Sequence, residues 1–578
     1  MKKFFLYPLL GTLGIVLVVA YTRANVQTNQ LFTETVPPSE LLQTQTNCST
    51  YPGQVGLLTA IADNYAQIGQ KDKSLEILAQ TLPLVQCIPD KCNQSEPMAK
   101  IASQYAVIRE EVRASEILNQ AIQVAQTAQG CMSHNSSMEN LLDISQRYLD
   151  AGQYKLAIQA VRGLKYPESE YGMVVAESFG LAKIAEQLAE AGQVEQAVAL
   201  FEEAMEIVRS IDSQTPGYKF LAFRGFYHIA SFAIQAGFNE QAIEALVKAQ
   251  QLVQTMDEIG LKTNSLVEIA QLYAKLGQSD QAVEFLSLAL STAKSIEKGA
   301  DTDQDPSSGD ISFKVSMLGN IAVEYATLNQ AKGNEIFAFA LQVAQAMEDE
   351  GSKARNLSNL ARDYARAGQY EQALEVAQMI NPQLHHHSYA LRNIAEQYIE
   401  DEKFEEALKV AKTISNPSKR ETREKLSYLA TRLLKARQPK QALKLLQVME
   451  QISKADPEYN PDEMKWIRTR VAKTFAADGE VEQALMVAQT IDFQPNKARV
   501  LLEIAEQYAL NQQQEKAAEM IAQALMITQS IDSKFSRASL LIEIAEYYAV
   551  NRQQENASKI LAQAFETSQA IEPEQRFE

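Results

Sequence analysis

Six cationic side chains in the second half of the chain have the type and spacing expected of a binding surface. Between Lys353 and Lys444 there are 17 Lys+Arg and 11 Asp+Glu, a net charge of +6, whereas the whole chain carries -18. A guanidinium group pairs with two carboxylate oxygens at once, so an acidic peptide tail or an anionic polymer is the predicted ligand. The competing interpretation is a solvated helix surface, because charges usually face water. The candidate residues are Arg355, Arg362, Arg366, Arg392, Lys435 and Lys473.

Two other clusters contain residue types that bind metals. Three adjacent histidines stand at 385–387, but adjacent side chains point in different directions, so this run favours a loop between repeats over a metal site. Aspartates alternate within residues 301–310 as in the opening of a calcium loop, yet Pro306 and Ser312 occupy the places where that loop needs Gly and Glu. A solvated acidic insertion at residues 297–312 is therefore predicted, and no metal or cofactor is expected.

No sequence pattern indicates catalysis. Phosphate-binding glycine loops, dinucleotide-binding turns, zinc-protease helices and serine nucleophile elbows are absent from the sequence. The net charge of -18 argues against general nucleic-acid binding, which needs a basic surface. The chain is therefore predicted to be non-enzymatic and not to bind nucleic acid, and a hydrolase with an unrecognised site is the weakest alternative.

The N-terminus has the layout of an export signal. Two lysines precede a mostly apolar stretch from Phe4 to Ala20, and small residues follow. Residues 1–24 are predicted to be a cleaved signal peptide or, alternatively, an uncleaved anchor that tethers the protein to the inner membrane. Residues 25–53, rich in Thr, Gln, Asn and Pro, are predicted to form a flexible linker. Both alternatives place the rest of the chain in the periplasm or outside the cell.

A repeated pattern fills the remainder of the chain. In each of thirteen units a small residue follows an apolar one, and an aromatic or apolar residue stands three places after it. A second small residue follows nine places later in every unit except the seventh, where Asn334 occupies that place. The first small residues are Ala62, Ala102, Ser145, Ala185, Ala230, Ala270, Ala322, Ala361, Ala395, Ala430, Ala472, Ala505 and Ala545.

The spacing within each unit predicts two amphipathic helices. In the eighth unit Leu357, Ala361 and Tyr364 follow the i, i+4, i+7 spacing of a helix that buries one face. One pair cannot bury its apolar face alone, so the pairs must stack across residues 54–570, which a short tail, 571–578, follows. In seven units a glycine that can adopt positive φ is predicted to end the first helix. These glycines are Gly69, Gly152, Gly192, Gly237, Gly277, Gly368 and Gly479.

The order Leu/Ile-Ala-x-x-Tyr-x-x-x-Gly-x-x-x-x-Ala resembles the tetratricopeptide repeat, a helix-turn-helix unit of about 34 residues. The resemblance implies an all-α, right-handed α-solenoid of about thirteen stacked antiparallel helix pairs. It also implies that the first helices line a concave groove that binds protein or peptide partners. Most units here are about six residues longer than the family repeat, so longer second helices and loops are expected.

Four cysteines in the first quarter of the chain match the spacing of the helix pairs. Cys48 and Cys92 precede the first helix of a unit, whereas Cys87 and Cys131 follow the second, 39 positions later in both cases. Because those ends of a hairpin lie side by side, the predicted disulfides are Cys48 to Cys87 and Cys92 to Cys131. Each would indicate an oxidising compartment and contribute about 3 to 4 kcal/mol. Other pairings and a zinc site are the alternatives.

The last predicted helix carries an apolar stripe. Ile560, Leu561 and Phe565 lie on one helical face, and no further unit follows to cover them. Stacked arrays normally finish with a polar capping helix. This end is therefore expected to pack against a second copy, giving a homodimer, or against a partner.

These observations predict a non-enzymatic scaffold or adaptor. It would bind protein or peptide partners, acidic ones in the basic region, through the concave surface of the solenoid and outside the cytoplasm. The alternative is a chaperone-like or accessory subunit that binds secreted clients or an envelope enzyme. An adaptor should hold one or two fixed partners, whereas a chaperone should hold many.

Overall fold

The computed structural model describes residues 52–88, 93–127, 145–146, 148–149, 152–162, 171–211, 218–296, 311–415, 418–454, 456 and 464–571. This part of the chain holds 25 α-helices and no strand. The first helices of the units are α1 (Pro52–Gln67), α3 (Ser95–Val107), α6 (Tyr171–Glu190), α8 (Tyr218–Gln235), α10 (Ile259–Lys275), α12 (Ile311–Leu328), α14 (Glu350–Arg366), α16 (His385–Glu400), α18 (Lys419–Lys435), α20 (Lys465–Ala477), α22 (Gln494–Leu510) and α24 (Lys534–Val550).

The second helices follow after short turns and pack antiparallel to the first. They are α2 (Lys71–Gln86), α4 (Glu111–Thr127), α5 (Tyr154–Arg162), α7 (Val194–Arg209), α9 (Asn239–Gln254), α11 (Ser279–Lys294), α13 (Gln330–Gln345), α15 (Tyr370–Gln378), α17 (Phe404–Ala411), α19 (Pro439–Lys454), α21 (Val481–Gln489), α23 (Gln514–Gln529) and α25 (Gln554–Gln569). The expected all-α helical-repeat solenoid is confirmed.

Small residues lie where the two helices of a pair approach each other. In the eighth unit Ala361 of α14 and Ala373 of α15 are completely buried. Their short side chains let the helix axes come close, and larger side chains fill the remaining space. The ring of Tyr364 stacks on that of Phe337 in the preceding unit, with centroids 4.2 Å apart. The repeated Ala and Tyr positions are therefore core positions.

One turn conformation joins the two helices in twelve of the thirteen units. The residue four places after the aromatic position has positive φ, and all seven predicted glycines are confirmed there. The N–H of the following residue donates to the carbonyl of the aromatic position, as Gln278 does to Tyr273 at 2.9 Å, which satisfies the helix end. Five units hold this conformation without glycine, at Arg109, Glu402, Arg437, Gln512 and Arg552.

The seventh unit has a shorter turn, which explains its departure from the repeat. A single residue, Asn329, separates α12 from α13, and its side chain accepts a hydrogen bond from the backbone N–H of Lys332 at 3.1 Å. The second small residue therefore stands one place earlier, at Gly333, rather than at Asn334. A Cβ on Gly333 would lie 2.9 Å from the backbone of Ala326. The close-approach position is thus present in this unit too.

The extra length of most units lies in the second helices, as expected. In the eighth, ninth and eleventh units, which are near the family length, the second helices have 9, 8 and 9 residues. Those of the longer units, such as the fifth and twelfth, have 16 residues. The difference of about two helical turns accounts for the longer repeat.

The array closes on itself. Helix α1 packs against both α24 and α25, just as α8 packs against both helices of the pair before it. Across this joint Gln54 Nε2 donates to the Ser568 carbonyl at 2.9 Å, and Asn64 Nδ2 donates to Glu546 Oε1 at 3.1 Å. The repeat region is therefore a ring of helix pairs, a closure that the sequence did not predict.

The first helices lie on the inside of this ring. Helix α1 contacts α3, each first helix from α6 to α22 contacts the next one, and α24 contacts α1, whereas direct contacts between successive described second helices are sparse. Elements on the smaller circle must lie closer together, so the second helices form the outside. The first helices thus line the concave surface that the resemblance implied.

Several sequence predictions fall outside the described residues. These are residues 1–24, nearly all of the linker 25–53, the cysteines Cys48, Cys92 and Cys131, residues 297–310 of the acidic insertion, and residues 572–578 of the tail. Pro52 already begins α1, and Ser312 belongs to α12, so these helices start earlier than the predicted boundaries. The three histidines at 385–387 form the first turn of α16, and the prediction of a loop was wrong there.

Candidate functional site

The inner surface of the ring is built from one stripe of each first helix. The stripe consists of the positions −6, −2, +1 and +5 relative to the first small residue, which share one helical face because their spacing is i, i+4, i+7, i+11. We call this set the inner stripe. Charges on neighbouring stripes pair across the junctions, with N···O distances of 2.8 to 3.1 Å, between Arg224 and Glu268, Lys473 and Glu503, and Arg499 and Glu543.

Two of the six predicted cations are anchored by a buried aspartate. Arg362 donates through Nε and Nη2 to Asp363 Oδ1 at 3.1 and 3.0 Å, and Arg366 lies 3.6 Å from the same oxygen. Asp363 is only 1% exposed. Burial raises the pKa of its carboxyl, and the two guanidinium groups oppose that shift. Both arginines remain partly exposed on the inner stripe, and their contacts with the buried Asp363 carboxylate hold them in position.

Arg392 lies between two tyrosine rings of adjacent units. Its guanidinium carbon is 4.8 Å from the centroid of Tyr389 in α16 and 5.0 Å from that of Tyr428 in α18. Lys425 lies over Tyr389 at 4.5 Å, and the Tyr428 hydroxyl donates to Glu396. Both tyrosine residues are 39% exposed. We call Tyr389, Arg392, Lys425 and Tyr428 the Tyr–Arg cluster, and it leaves part of both tyrosine side chains open to a ligand, while Nε and Nη2 of Arg392 donate to Asn393 Oδ1.

The other three predicted cations lie on the inner stripe but have different surroundings. Arg355 is exposed, and after burial and the neighbouring His385 it is a third cause that lowers the pKa of the His386 imidazole. Lys435, at the end of α18, is exposed, and neither it nor Arg355 has an ion-pair partner in the described part of the chain. Lys473 pairs with Glu503 and is the least available of the three.

An open cleft of about 300 Å³ continues the inner stripe from α8 to α14. Within it Gln271 donates to Glu324 at 2.9 Å, which links α10 to α12. The described residues contain no group of three or more His, Cys, Asp or Glu placed to hold a metal ion. The polar side chains of the cleft are Asn264, Glu268, Gln271, Asn320, Glu324 and Arg366.

The histidine on the inner stripe of the fifth unit is held neutral. Burial, helped by the nearby Arg224 guanidinium, lowers the pKa of His228 to about 4. Arg224 Nη2 lies 3.1 Å from His228 Nε2, and the ring of Phe179 packs edge-on against the imidazole. This side chain thus serves packing between α6 and α8 at neutral pH.

The apolar stripe of the last helix is covered within the chain. Leu561 is fully buried and Ile560 is 8% exposed, while Phe565 is partly buried against the same core. Helix α1 occupies the place that a further unit would take. The expectation that this face is left open to a second copy or a partner was therefore wrong, because it treated the array as open-ended.

The exposed aromatic side chains of the inner surface were not among the predicted site residues. Tyr389 and Trp466 stand six places before the small residue of their units, and Tyr428 stands two places before. Trp466, the single tryptophan, is 40% exposed and lies under the Arg470 guanidinium at 5.9 Å. The sequence signal that could have identified them is an aromatic residue at a position, −6 or −2, that is usually polar in the other units.

No family model matches the chain, and no curated protein matches it. Among solved structures it is similar to Ton1535 from Thermococcus onnurineus NA1, at 15% identity over 70% of this chain and 98% of that chain, with a TM-score of 0.28. It is also similar to TPR-like repeats of a Podospora anserina kinesin light chain, at 17% identity over 43% and 95% of the two chains, with a TM-score of 0.24. It is similar to the apo form of RapI as well, at 13% identity over 65% of this chain and 98% of that chain, with a TM-score of 0.24.

The repeated helix pairs, with the small and aromatic positions buried between them, decide the class of the fold. The chain has an all-α helical-repeat fold whose helix pairs are similar to TPR-like repeats. The resemblance drawn from the sequence is thereby confirmed at the level of the fold. Among the described helices none is both long and apolar enough to cross a membrane.

Proposed function

We propose that this TPR-like protein is a non-catalytic scaffold that binds a partner protein on the inner surface of its ring, at the eighth to tenth units. The Tyr–Arg cluster is the observation that carries the proposal, because exposed aromatic rings stacked with arginine are typical of binding hot spots. Arg355 and Lys435 add positive charge without ion-pair partners in the described region, which favours an acidic segment of the partner.

Site-specific crosslinking in the native cell tests this proposal. A photoreactive phenylalanine analogue at Tyr428 should capture one or two defined proteins, identified by mass spectrometry. The variant Arg355→Glu with Arg392→Glu should lose them by charge repulsion while its far-UV circular dichroism is unchanged. Arg362 is left intact because it neutralises the buried Asp363.

The matched control carries the same photoreactive group at Met526. This residue is 70% exposed on α23, a second helix, and so reports contacts of the outside of the ring. The same proteins captured at both positions, and retained by the charge-reversed variant, would contradict binding at the inner surface. Capture of many unrelated proteins at Tyr428 would instead favour the chaperone-like alternative.

The proposal also places the scaffold outside the cytoplasm. It is supported by the export-type pattern of residues 1–24 and by the position of Cys87, which is the C-cap of α2 and follows a hairpin that starts at Pro52. Peptide mapping without reduction should recover Cys48 linked to Cys87 and Cys92 linked to Cys131. Recovery of all four cysteines as alkylated thiols from the native cell would contradict this location.

A further inference from the structure

A second cavity lies between two successive helices of the outside of the ring. Helices α7 and α9 both pack on α8 but make few contacts with each other, so their C-terminal halves leave a space above the N-terminal half of α8. Its volume is about 400 Å³, within the range of small-molecule binding sites. We call this space the outer cavity, and none of its lining residues belongs to the inner stripe.

The floor of the outer cavity is apolar. Val208, Ala222 and Phe226 are 1%, 2% and 4% exposed. Leu252 of α9 is half-buried and continues the apolar surface towards the rim. A Cβ on Gly225 would lie 2.6 Å from Val208 Cγ2, so α7 and α8 are in close contact beneath the cavity. An alkyl chain on this floor would be removed from water, which favours binding.

Three cations stand at the rim of the outer cavity, and two of them have no carboxylate partner. Arg209 pairs with carboxylates of α7 and α9. Lys219 Nζ donates to the carbonyl oxygen of Thr255 at 3.0 Å, which leaves its positive charge uncompensated. Lys248 is half-buried and has neither a hydrogen bond nor an ion pair with any described residue. The rim thus carries two lysine charges available to an anion.

The repeat does not require a lysine at position 248. Lys248 stands six places after the second small residue of its unit, and none of the other twelve units has a basic residue at that place. The two neighbouring units have Glu203 and Leu288 there. Partial burial of a charge costs free energy unless a partner compensates it. A bound anion would supply the partner that the described residues do not.

We infer that the outer cavity binds an anionic amphiphile, with its carboxylate or phosphate head group at Lys248 and Lys219 and its alkyl chain on the apolar floor. The lysines form charge-assisted hydrogen bonds with the head group, and the floor takes the chain out of water. The volume of the cavity suits a chain of medium length. This site is separate from the inner surface, so the inference does not depend on the proposed function.

The test uses isothermal titration calorimetry of decanoate, decyl phosphate and decanol, below their micellar concentrations, with the full-length protein. One decanoate or decyl phosphate should bind per chain, and the tighter of the two identifies the head group. Lys248→Met removes one charge-assisted hydrogen bond and keeps the length of the side chain, so it should raise Kd for that ligand about 10-fold and leave Kd for decanol unchanged. The matched control, Lys559→Met on the exposed surface of α25, should change neither.

A second variant tests the apolar floor. Leu252→Trp should fill the cavity and abolish binding of all three ligands, with far-UV circular dichroism unchanged. Equal Kd of the anionic ligand for the wild type and Lys248→Met would overturn the inference, as would binding of decanol as tight as that of decanoate. Absence of saturable binding by either anionic ligand, or binding of several copies per chain that survives in Leu252→Trp, would overturn it as well.

Discussion

The turn residue four places after the aromatic position decides how each first helix ends. Glycine reaches positive φ without cost, whereas other L-residues lose about 1 to 2 kcal/mol in that conformation. The seven glycines were therefore predictable from the sequence. The five other turns were not, because Arg109 or Gln512 gives no sign by itself of a left-handed backbone; only the position within the repeat identifies them.

Replacing such residues with glycine should stabilise the ring. Gln512→Gly and Arg552→Gly are each expected to raise the free energy of unfolding by about 1 kcal/mol, because both residues have φ near +60° and their side chains have no hydrogen-bond partner in the described part of the chain. The measurement is the urea midpoint by circular dichroism. Ala522→Gly is the control, since Ala522 lies exposed in the interior of α23, where glycine should cost about 1 kcal/mol. A lower midpoint for Gln512→Gly would refute the argument.

The neutral His228 should make the ring sensitive to acid. Its folded-state pKa of about 4 lies below the ordinary value of 6.5, so the unfolded chain binds the proton more tightly. Stability from this residue is complete above pH 6.5 and is lost as the pH falls towards 4. Urea midpoints measured from pH 7 to 4 should therefore fall more steeply for the wild type than for His228→Gln. If the urea midpoints of the wild type and His228→Gln fell equally with pH, His228 would not be the source of the acid sensitivity.

The sequence predicted that the helices pair, but it did not predict which residues of α12 and α13 meet in the seventh unit. The periodic Ala and Tyr positions predicted the contact residues between the two helices in twelve units, because helix contacts depend on small and large side chains at regular spacing. In the seventh unit the deletion of turn residues moved the contact from Asn334 to Gly333, which a fixed spacing cannot reveal. The exposed Tyr389 and Tyr428 were missed for a related reason, since aromatic residues on helices are more often assigned to a core.

The packing of α13 on α12 depends on the absence of a side chain at Gly333. A methyl group there would meet the backbone of Ala326 at 2.9 Å and the Ala322 carbonyl at 3.0 Å, so Gly333→Ala must push the helices apart. The expected loss is about 1 to 3 kcal/mol, measured as a shift in the urea midpoint. Gly56→Ala serves as the control, because nothing lies within 4 Å of its Cβ, and it should be neutral or stabilising. Equal midpoints for the two variants would sink this explanation.

Closure of the ring is a property of the whole repeat region that no single repeat encodes. It results from small rotations summed over thirteen units, and units of different length contribute different rotations. The sequence could therefore predict stacked pairs and an inner surface without predicting that the last pair meets α1. For the same reason it suggested an open apolar end at Leu561, a residue that the structure buries.

The joint can be opened by a single charge. Asn64 is 2% exposed and donates to Glu546, so Asn64→Asp replaces that hydrogen bond with two facing carboxylates. We expect a larger radius of gyration in small-angle X-ray scattering and faster amide exchange in α1 and α24. Glu546→Gln added to this variant restores a donor and should reverse both effects, whereas Asn556→Asp should change neither. Unchanged scattering and exchange in Asn64→Asp would show that the joint does not depend on this contact.

A closed array also has no terminal repeat from which to fray. In a linear solenoid the outermost unit touches one neighbour and unfolds first, so melting spreads inward as a broad process. In this ring every unit has two neighbours, and the first unit to melt must break two interfaces at once. That initial event creates two free ends, after which each further loss costs a single interface. The protein should therefore resist partial unfolding and proteolytic trimming up to a threshold, and then melt in one steep cooperative transition.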